Sequence, residues 1–189
     1  MPQPSGPQGH LPITAARGFS YPFVKLKHAN DPISGIGALK APGRYHVQGR
    51  FRALYTSENP IAALKETEFL VISKQEVAFK PAPPMVLFAL EYHLERVLDL
   101  RDPTTLALLG VKREHLFAAW LRGTPENPRP TQRIARLAYE AGVQALFAPT
   151  AVPPHETTNV IVFPDNLKAG GQSWVQVSNP DTIHTFRIP

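Results

Sequence analysis

The chain has 189 residues, no cysteine and a formal net charge of +5. That length suits one domain with a core of its own, and the absence of thiols excludes a disulfide framework, a cysteine nucleophile and a Cys-ligated metal centre. No apolar run approaches the roughly 18 residues of a transmembrane helix, and the first residues lack the pattern of a signal peptide, so the cytoplasm is the expected compartment and no membrane contact is expected.

The charge is unevenly placed. The first 60 residues carry seven basic residues (Arg17, Lys25, Lys27, Lys40, Arg44, Arg50, Arg52) and two acidic ones (Asp31, Glu58), and the rest of the chain is balanced. The basic residues are separated, unlike the dense clusters of a nucleic-acid footprint. They suit a local site for an anionic ligand such as a phosphate ester, and direct nucleic-acid binding is not expected.

In chain order, residues 1–16 are rich in Pro, Gln and Gly, carry no charge, and are expected to form a flexible tail before a single domain at 17–189. The 21 prolines, about twice the usual frequency, punctuate the chain and favour many short elements. Ala53–Thr56 reads as a short strand. A helix follows, with Asn59 as N-cap, Pro60 at its first position, and Ile61, Leu64 and the alanines as its apolar face. Met85–Tyr92 and Arg96–Leu100 read as two strands, and Thr104–Leu109 and Arg113–Arg122 as short helices. Arg133–Ala141 is an expected helix with Ile134, Leu137, Ala138 and Ala141 on one face and Gly142 as its stop. Gln144–Ala148 and Asn159–Phe163 are mainly apolar and read as buried strands, with Ser173–Val177 and Ile183–Ile188 as closing edge strands. The pattern predicts an α+β domain.

The chemistry concentrates in residues 31–66. A Gly-punctuated loop holds Arg44 and Tyr45, a strand holds Tyr55, and the next helix holds Glu66. Both the Arg44–Tyr55 and the Tyr55–Glu66 intervals are eleven residues, and a strand–turn–helix unit can bring the three to one cleft. An arginine fork matches phosphate, a tyrosine ring stacks on a flat heterocycle, and a carboxylate stabilises an oxocarbenium-like ribosyl centre or activates a nucleophile. Together these suit cleavage of a nicotinamide dinucleotide at its N-glycosidic bond. Spacing alone leaves each residue its ordinary structural reading. His93-Leu94-Glu95 and His155-Glu156 lack metalloprotease spacing, so no metal site is expected, and no Walker loop, nucleophile elbow or Rossmann fingerprint is present.

The ordered motifs resemble the RES domain family, which is named for an arginine, a glutamate and a serine. The matching segments are Gly43-Arg44-Tyr45, Leu54-Tyr55-Thr56-Ser57, Pro60-Ile61-Ala62-Ala63-Leu64-Lys65-Glu66, Ala141-Gly142-Val143, Ala148-Pro149-Thr150 and Asn159-Val160-Ile161-Val162-Phe163-Pro164, spanning roughly residues 20–165. The resemblance implies an ADP-ribosyltransferase-like mixed β core with flanking short helices. It implies a toxin that degrades NAD⁺ as substrate, by hydrolysis or phosphorolysis, with no resident cofactor. It also implies a cognate antitoxin with an Xre-like helix-turn-helix domain; the oligomeric state is left open, a homodimer being one option.

Carried over, Arg44, Tyr55, Glu66 and Thr150 are the expected catalytic residues. Arg44, Tyr45, His46, Tyr55 and Asn159 are the expected substrate contacts. Arg44 would hold the pyrophosphate or nearby ribose, Tyr55 would pack on the nicotinamide side, and Glu66 would serve the ribosyl centre. The chain departs from the family pattern twice: Thr150 stands where the serine is usual, and His46 where asparagine follows the aromatic. Two rival readings carry different expectations. ADP-ribosyl transfer to a macromolecule keeps the fold, and a non-catalytic nucleic-acid-binding module makes Glu66 dispensable.

Overall fold

The computed structural model describes residues 11–67, 70–72, 77–79, 83–118, 123–153, 155–168, 171–178 and 187–188. Eleven strands run in chain order: β1 (Ile13–Ser20), β2 (Phe23–Lys25), β3 (Leu54–Ser57), β4 (Leu70–Ile72), β5 (Val77–Phe79), β6 (Met85–Leu87), β7 (Leu90–Asp99), β8 (Ala145–Pro149), β9 (Thr158–Val162), β10 (Trp174–Val177) and β11 (Arg187–Ile188). Among the described residues the helices are α1 (Gly37–Lys40), α2 (Pro60–Glu66), α3 (Pro103–Leu108) and α4 (Pro130–Glu140), joined by short 3₁₀ turns.

A seven-stranded mixed sheet of order β11-β10-β7-β8-β9-β3 organises the domain, with β1 also paired to β7. The β7–β8 pair is parallel, and β3, β8 and β9 run antiparallel to their neighbours along β9. Both faces of the sheet are covered. Leu146, Ala148 and Ile161 belong to one core cluster with Leu98, Leu116, Ile134 and Phe163. The alternate residues Ala145, Phe147, Val160 and Val162 belong to the other, with Leu54, Leu90, Leu94 and Val97. Burial on both faces is why β8, and β9 from Val160 onward, are apolar without alternation.

The two strands expected at 85–92 and 96–100 are divided differently. Met85–Leu87 pairs with β2 in a small separate sheet, while Leu90–Asp99 is one continuous strand. Its alternation slips at Glu95 and Arg96, both exposed, which precede the buried Val97 and Leu98. There β7 changes neighbour: residues 90–93 pair with β10, and residues 97–99 with β8. The β1 partner shifts register at the same point, between Thr14 and Ala16. The buried Gln144 side chain fills the gap, its Oε1 accepting from Glu95 N–H (2.9 Å), Arg96 N–H (3.1 Å) and Ser173 Oγ–H (2.9 Å). Backbone groups without a strand partner are thus still satisfied.

Strand β1 begins at Ile13, inside the segment expected to be a tail; pairing with β7 orders what composition alone made look loose. Helix α2 starts as expected. Asn59 Oδ1 accepts from Ile61 N–H (2.8 Å) and Ala62 N–H (3.2 Å), with Pro60 in the first turn. Its buried face is Ala62 and Ala63, and Ile61 is 47% exposed. Helix α4 starts at Pro130, three residues before the expected start, and packs through Thr131, Gln132, Ile134, Ala135 and Ala138; Leu137 is 53% exposed. The helix expected at Arg113–Arg122 is a 3₁₀ turn over Arg113–Leu116, and residues 119–122 lie outside the described residues. The expected strand at Ile183–Ile188 is described only at Arg187–Ile188.

Candidate functional site

Strand β3 and helix α2 deliver Tyr55 and Glu66 to one cleft, lined also by Tyr21, Phe23, Ser57 and Asn159. The junction between them is braced from behind. Ser57 exchanges backbone hydrogen bonds with Tyr21 (2.7 and 3.3 Å), and Glu58 N–H donates to Thr158 O (2.9 Å). Tyr92 Oη donates to Glu58 Oε1 (3.2 Å), and burial raises the Tyr92 hydroxyl pKa, helped by that carboxylate. Arg101 lies over the Phe147 ring, forks onto Asp99 at 2.7 and 2.8 Å and donates to Thr158 Oγ1 (2.5 Å).

Glu66 is held by one oxygen. Oε1 accepts from Thr150 Oγ–H (2.5 Å), Ala151 N–H (2.9 Å) and Asn159 Nδ2–H (2.8 Å). Its other oxygen, Oε2, makes no hydrogen bond among the described residues. Three donors on one oxygen fix the carboxylate plane and leave the second oxygen for a ligand. Asn159 lines the cleft, but its Oδ1 is itself buried and has no hydrogen-bond partner among the described residues. Thr150 is 1% exposed, and its hydroxyl also accepts from Val152 N–H (3.3 Å). It therefore acts on Glu66 and not directly on a ligand. The threonine's extra methyl does not prevent that contact.

Tyr55 divides its functions between ring and hydroxyl. The residue is 37% exposed along the cleft, but its hydroxyl turns inward. Oη accepts from Tyr45 N–H (2.8 Å) and lies 2.9 Å from His46 Nδ1. Enclosure of this oxygen, with the nearby Tyr45 adding to it, pushes the hydroxyl pKa upward against the lowering effects of the Tyr45 N–H and Arg44.

The 43–46 loop closes on itself through Gly43 N–H to His46 O (3.1 Å) and His46 N–H to Gly43 O (3.4 Å). Gln132 of α4, 1% exposed, clamps it by donating from Nε2 to Gly43 O (3.0 Å) and His46 O (3.3 Å). Tyr45 is buried in the core at 2% exposure, and its hydroxyl has no hydrogen-bond partner among the described residues. Burial raises that hydroxyl's pKa; Arg44 opposes the rise and Glu66 adds to it. Of the expected substrate contacts, Tyr45 and His46 thus lie beneath the site surface, while Tyr55 and Asn159 line the cleft.

Gly43 is required by close approach. A Cβ there would meet the His46 ring, 2.7 Å from Nδ1, and the Tyr55 hydroxyl at 2.8 Å. Gly43→Ala is expected to destabilise the fold by about 1–3 kcal/mol, the usual cost of overpacking, read as a lowered midpoint in thermal or urea unfolding.

Arg44 is half-buried, and its Nη1 donates to Leu116 O (3.0 Å) and Ala118 O (2.9 Å). Nε and Nη2 carry no hydrogen bond among the described residues and keep one edge of the fork for an anion. Arg52, by contrast, is committed to Asp165 through its Nε (2.7 Å), Nη2 (2.6 Å) and backbone N–H (3.1 Å). The basic excess of the first 60 residues is therefore partly a structural ion pair.

Two further residues join the halves of the site. Phe117, between the carbonyls that hold Arg44, packs on His155 with ring centroids 4.5 Å apart. His155 Nδ1–H donates to Thr150 O (2.9 Å), directly behind the Glu66 clamp. A chain of contacts runs from Arg44 through 116–118, Phe117, His155 and Thr150 to Glu66. Sequence reading passes over Gln132 and Phe117 and weighs His155 only as a metal ligand, because their partners are remote in the chain. No group of three or more His, Asp or Glu side chains able to hold a metal occurs among the described residues.

Comparison with curated proteins gives no match. Among solved structures, a chain of the crystal structure of the M. tuberculosis MbcT–MbcA toxin–antitoxin complex is similar, with a TM-score of 0.58 and 14% identity over 88% of this chain and 84% of that chain. This likeness is one of fold: a single α+β domain with a mixed sheet and short helices. A model of the RES domain matches residues 16–184, which include the Arg44 loop, the Glu66 helix and the Thr150 and Asn159 strands, and the chain belongs to the RES domain family.

Proposed function

We propose that this protein is the toxin of a toxin–antitoxin pair and that it cleaves the nicotinamide–ribose bond of NAD⁺. The observation that carries the reading is the Glu66 carboxylate, held through Oε1 alone, beside the exposed ring of Tyr55. In this reaction the C1′–N bond breaks and its electron pair leaves with nicotinamide, neutralising the pyridinium. The positive charge that develops on the ribosyl carbon is stabilised by Glu66 Oε2. An acceptor oxygen then bonds to that carbon and releases its proton to solvent or phosphate. The Tyr55 ring packs on the nicotinamide, Arg44 offers Nε and Nη2 to the phosphates, and Asn159 holds Glu66 through its Nδ2–H. NAD⁺ is consumed as substrate and no resident cofactor takes part. The toxin would act in the cytoplasm and be restrained by a cognate antitoxin with an Xre-like helix-turn-helix domain.

Purified protein incubated with NAD⁺ is expected to release nicotinamide. Chromatography of the other product identifies the acceptor: ADP-ribose for water, its 1″-phosphate when inorganic phosphate is supplied. Label transferred from NAD⁺ to a macromolecule, with little free ADP-ribose, would replace this reading with ADP-ribosyl transfer. No nicotinamide release with or without phosphate overturns it.

A further inference from the structure

We propose that His46 is a positioning residue that captures the Tyr55 hydroxyl proton, so that Tyr55 meets its ligand through its ring and not through a donated hydrogen bond. The ligand in this statement rests on the function proposed above; the proton assignment does not.

The argument is one of donor and acceptor accounting. His46 is 4% exposed, and its Nε2 lies 2.7 Å from Ala41 O. A carbonyl oxygen only accepts, so Nε2 carries the proton. In the neutral ring Nδ1 is then an acceptor. The Tyr55 hydroxyl, 2.9 Å from Nδ1, donates its single proton there. The same oxygen accepts from Tyr45 N–H at 2.8 Å. Burial lowers the His46 pKa, against the opposing effect of Ala41 O, which favours the neutral ring this chain of bonds requires. The two rings meet edge to face with centroids 5.5 Å apart. Gly43 lets the imidazole sit against the backbone, and Gln132 holds the Gly43 and His46 carbonyls. The hydroxyl is thus spent inside the loop, while the ring lines the cleft.

The accounting also explains how a histidine serves at this position. What the loop needs is an acceptor at the place of Nδ1, and an asparagine Oδ1 falls near the same point on a shorter side chain. His46→Asn is therefore expected to preserve the Tyr55 orientation, and His46→Leu to lose it.

Nitrogen-15 NMR of the full-length protein tests the proton assignment without any turnover. The expected spectrum has His46 with a protonated Nε2 and an unprotonated, hydrogen-bonded Nδ1 at neutral pH, and Tyr55→Phe shifts the Nδ1 signal. A protonated Nδ1, or an imidazolium, overturns the proposal. Titration with nicotinamide as the probe tests the division between ring and hydroxyl. Tyr55→Phe is expected to keep the wild-type dissociation constant within about threefold, and Tyr55→Leu to weaken it about tenfold. His46→Leu weakens it about fivefold, while His46→Asn restores it to near the wild-type value. Tyr55→Phe weakening binding as much as Tyr55→Leu overturns the proposal, as does wild-type protein that binds no nicotinamide. Failure of the proposed function reads differently: NAD⁺ is not cleaved, while the His46 tautomer and nicotinamide binding stand as expected.

Discussion

Glu66→Gln is expected to lower the rate of nicotinamide release from NAD⁺ by about 10³-fold, with little change in KM and an unchanged unfolding midpoint. The reason lies in how the side chain is held. All three groups on Oε1, namely Thr150 Oγ–H, Ala151 N–H and Asn159 Nδ2–H, are donors. A glutamine carbonyl oxygen can accept all three, so the amide takes the place of the carboxylate with its NH₂ where Oε2 stood. The clamp and the fold survive. What is lost is the negative charge, and a pair of N–H dipoles now faces a carbon that becomes positive. The effect therefore falls on the transition state and on kcat. Thr150 supplies an internal control. Thr150→Ser keeps the hydroxyl and is expected to retain nearly full activity. Thr150→Val keeps the shape and removes the donor, and activity drops by about tenfold or more. Full turnover by Glu66→Gln would remove the carboxylate from the mechanism. Expressed without an antitoxin, the wild type is expected to arrest growth and the Glu66→Gln variant to spare it.

Much of this site was legible in the sequence where local physics and chain order coincide. Asn59 and Pro60 mark the start of α2 because capping is a short-range device, and that start places Glu66 within two turns of it; that the helix stops at Glu66, short of the run to Val71 that the sequence suggests, shows only in the fold. The apolar runs Ala145–Pro149 and Val160–Val162 show themselves as doubly buried strands because none of their positions is polar. The illegible parts depend on remote partners. The unity of β7 is hidden because its alternation slips at Glu95 and Arg96, a slip that makes sense only beside Gln144 and two different neighbouring strands. Gln132 reads as an ordinary helix residue until its carbonyl partners, 86 and 89 residues away, are known. Arg52 looks like a phosphate ligand until Asp165, 113 residues on, is found to hold it. His46 and Tyr45 were expected at the substrate because the motif places them beside Arg44. In the fold they turn inward and support Tyr55 from below.

Arg44→Lys is expected to raise KM for NAD⁺ by between tenfold and a hundredfold, and Arg44→Ala to do so while also destabilising the domain by about 1–3 kcal/mol. The guanidinium is used on two sides. Nη1 satisfies Leu116 O and Ala118 O, while Nε and Nη2 remain for the dinucleotide phosphates. Lysine keeps the charge, but one ammonium on a flexible stem cannot span both carbonyls and also present a planar fork. It therefore gives up either the anchor or the anion. Alanine gives up both and leaves the two carbonyls without their donor. The loss extends beyond binding, because the 116–118 carbonyls flank Phe117, Phe117 packs on His155, and His155 holds the Thr150 carbonyl behind the Glu66 clamp. Loosening the anchor loosens the carboxylate. A double-mutant cycle between Arg44→Ala and His155→Ala reads this connection. If the contacts act as one chain, the two losses in kcat combine to less than their product, because either change alone frees the same loop. Fully multiplicative losses would show Arg44 and Glu66 to be positioned independently.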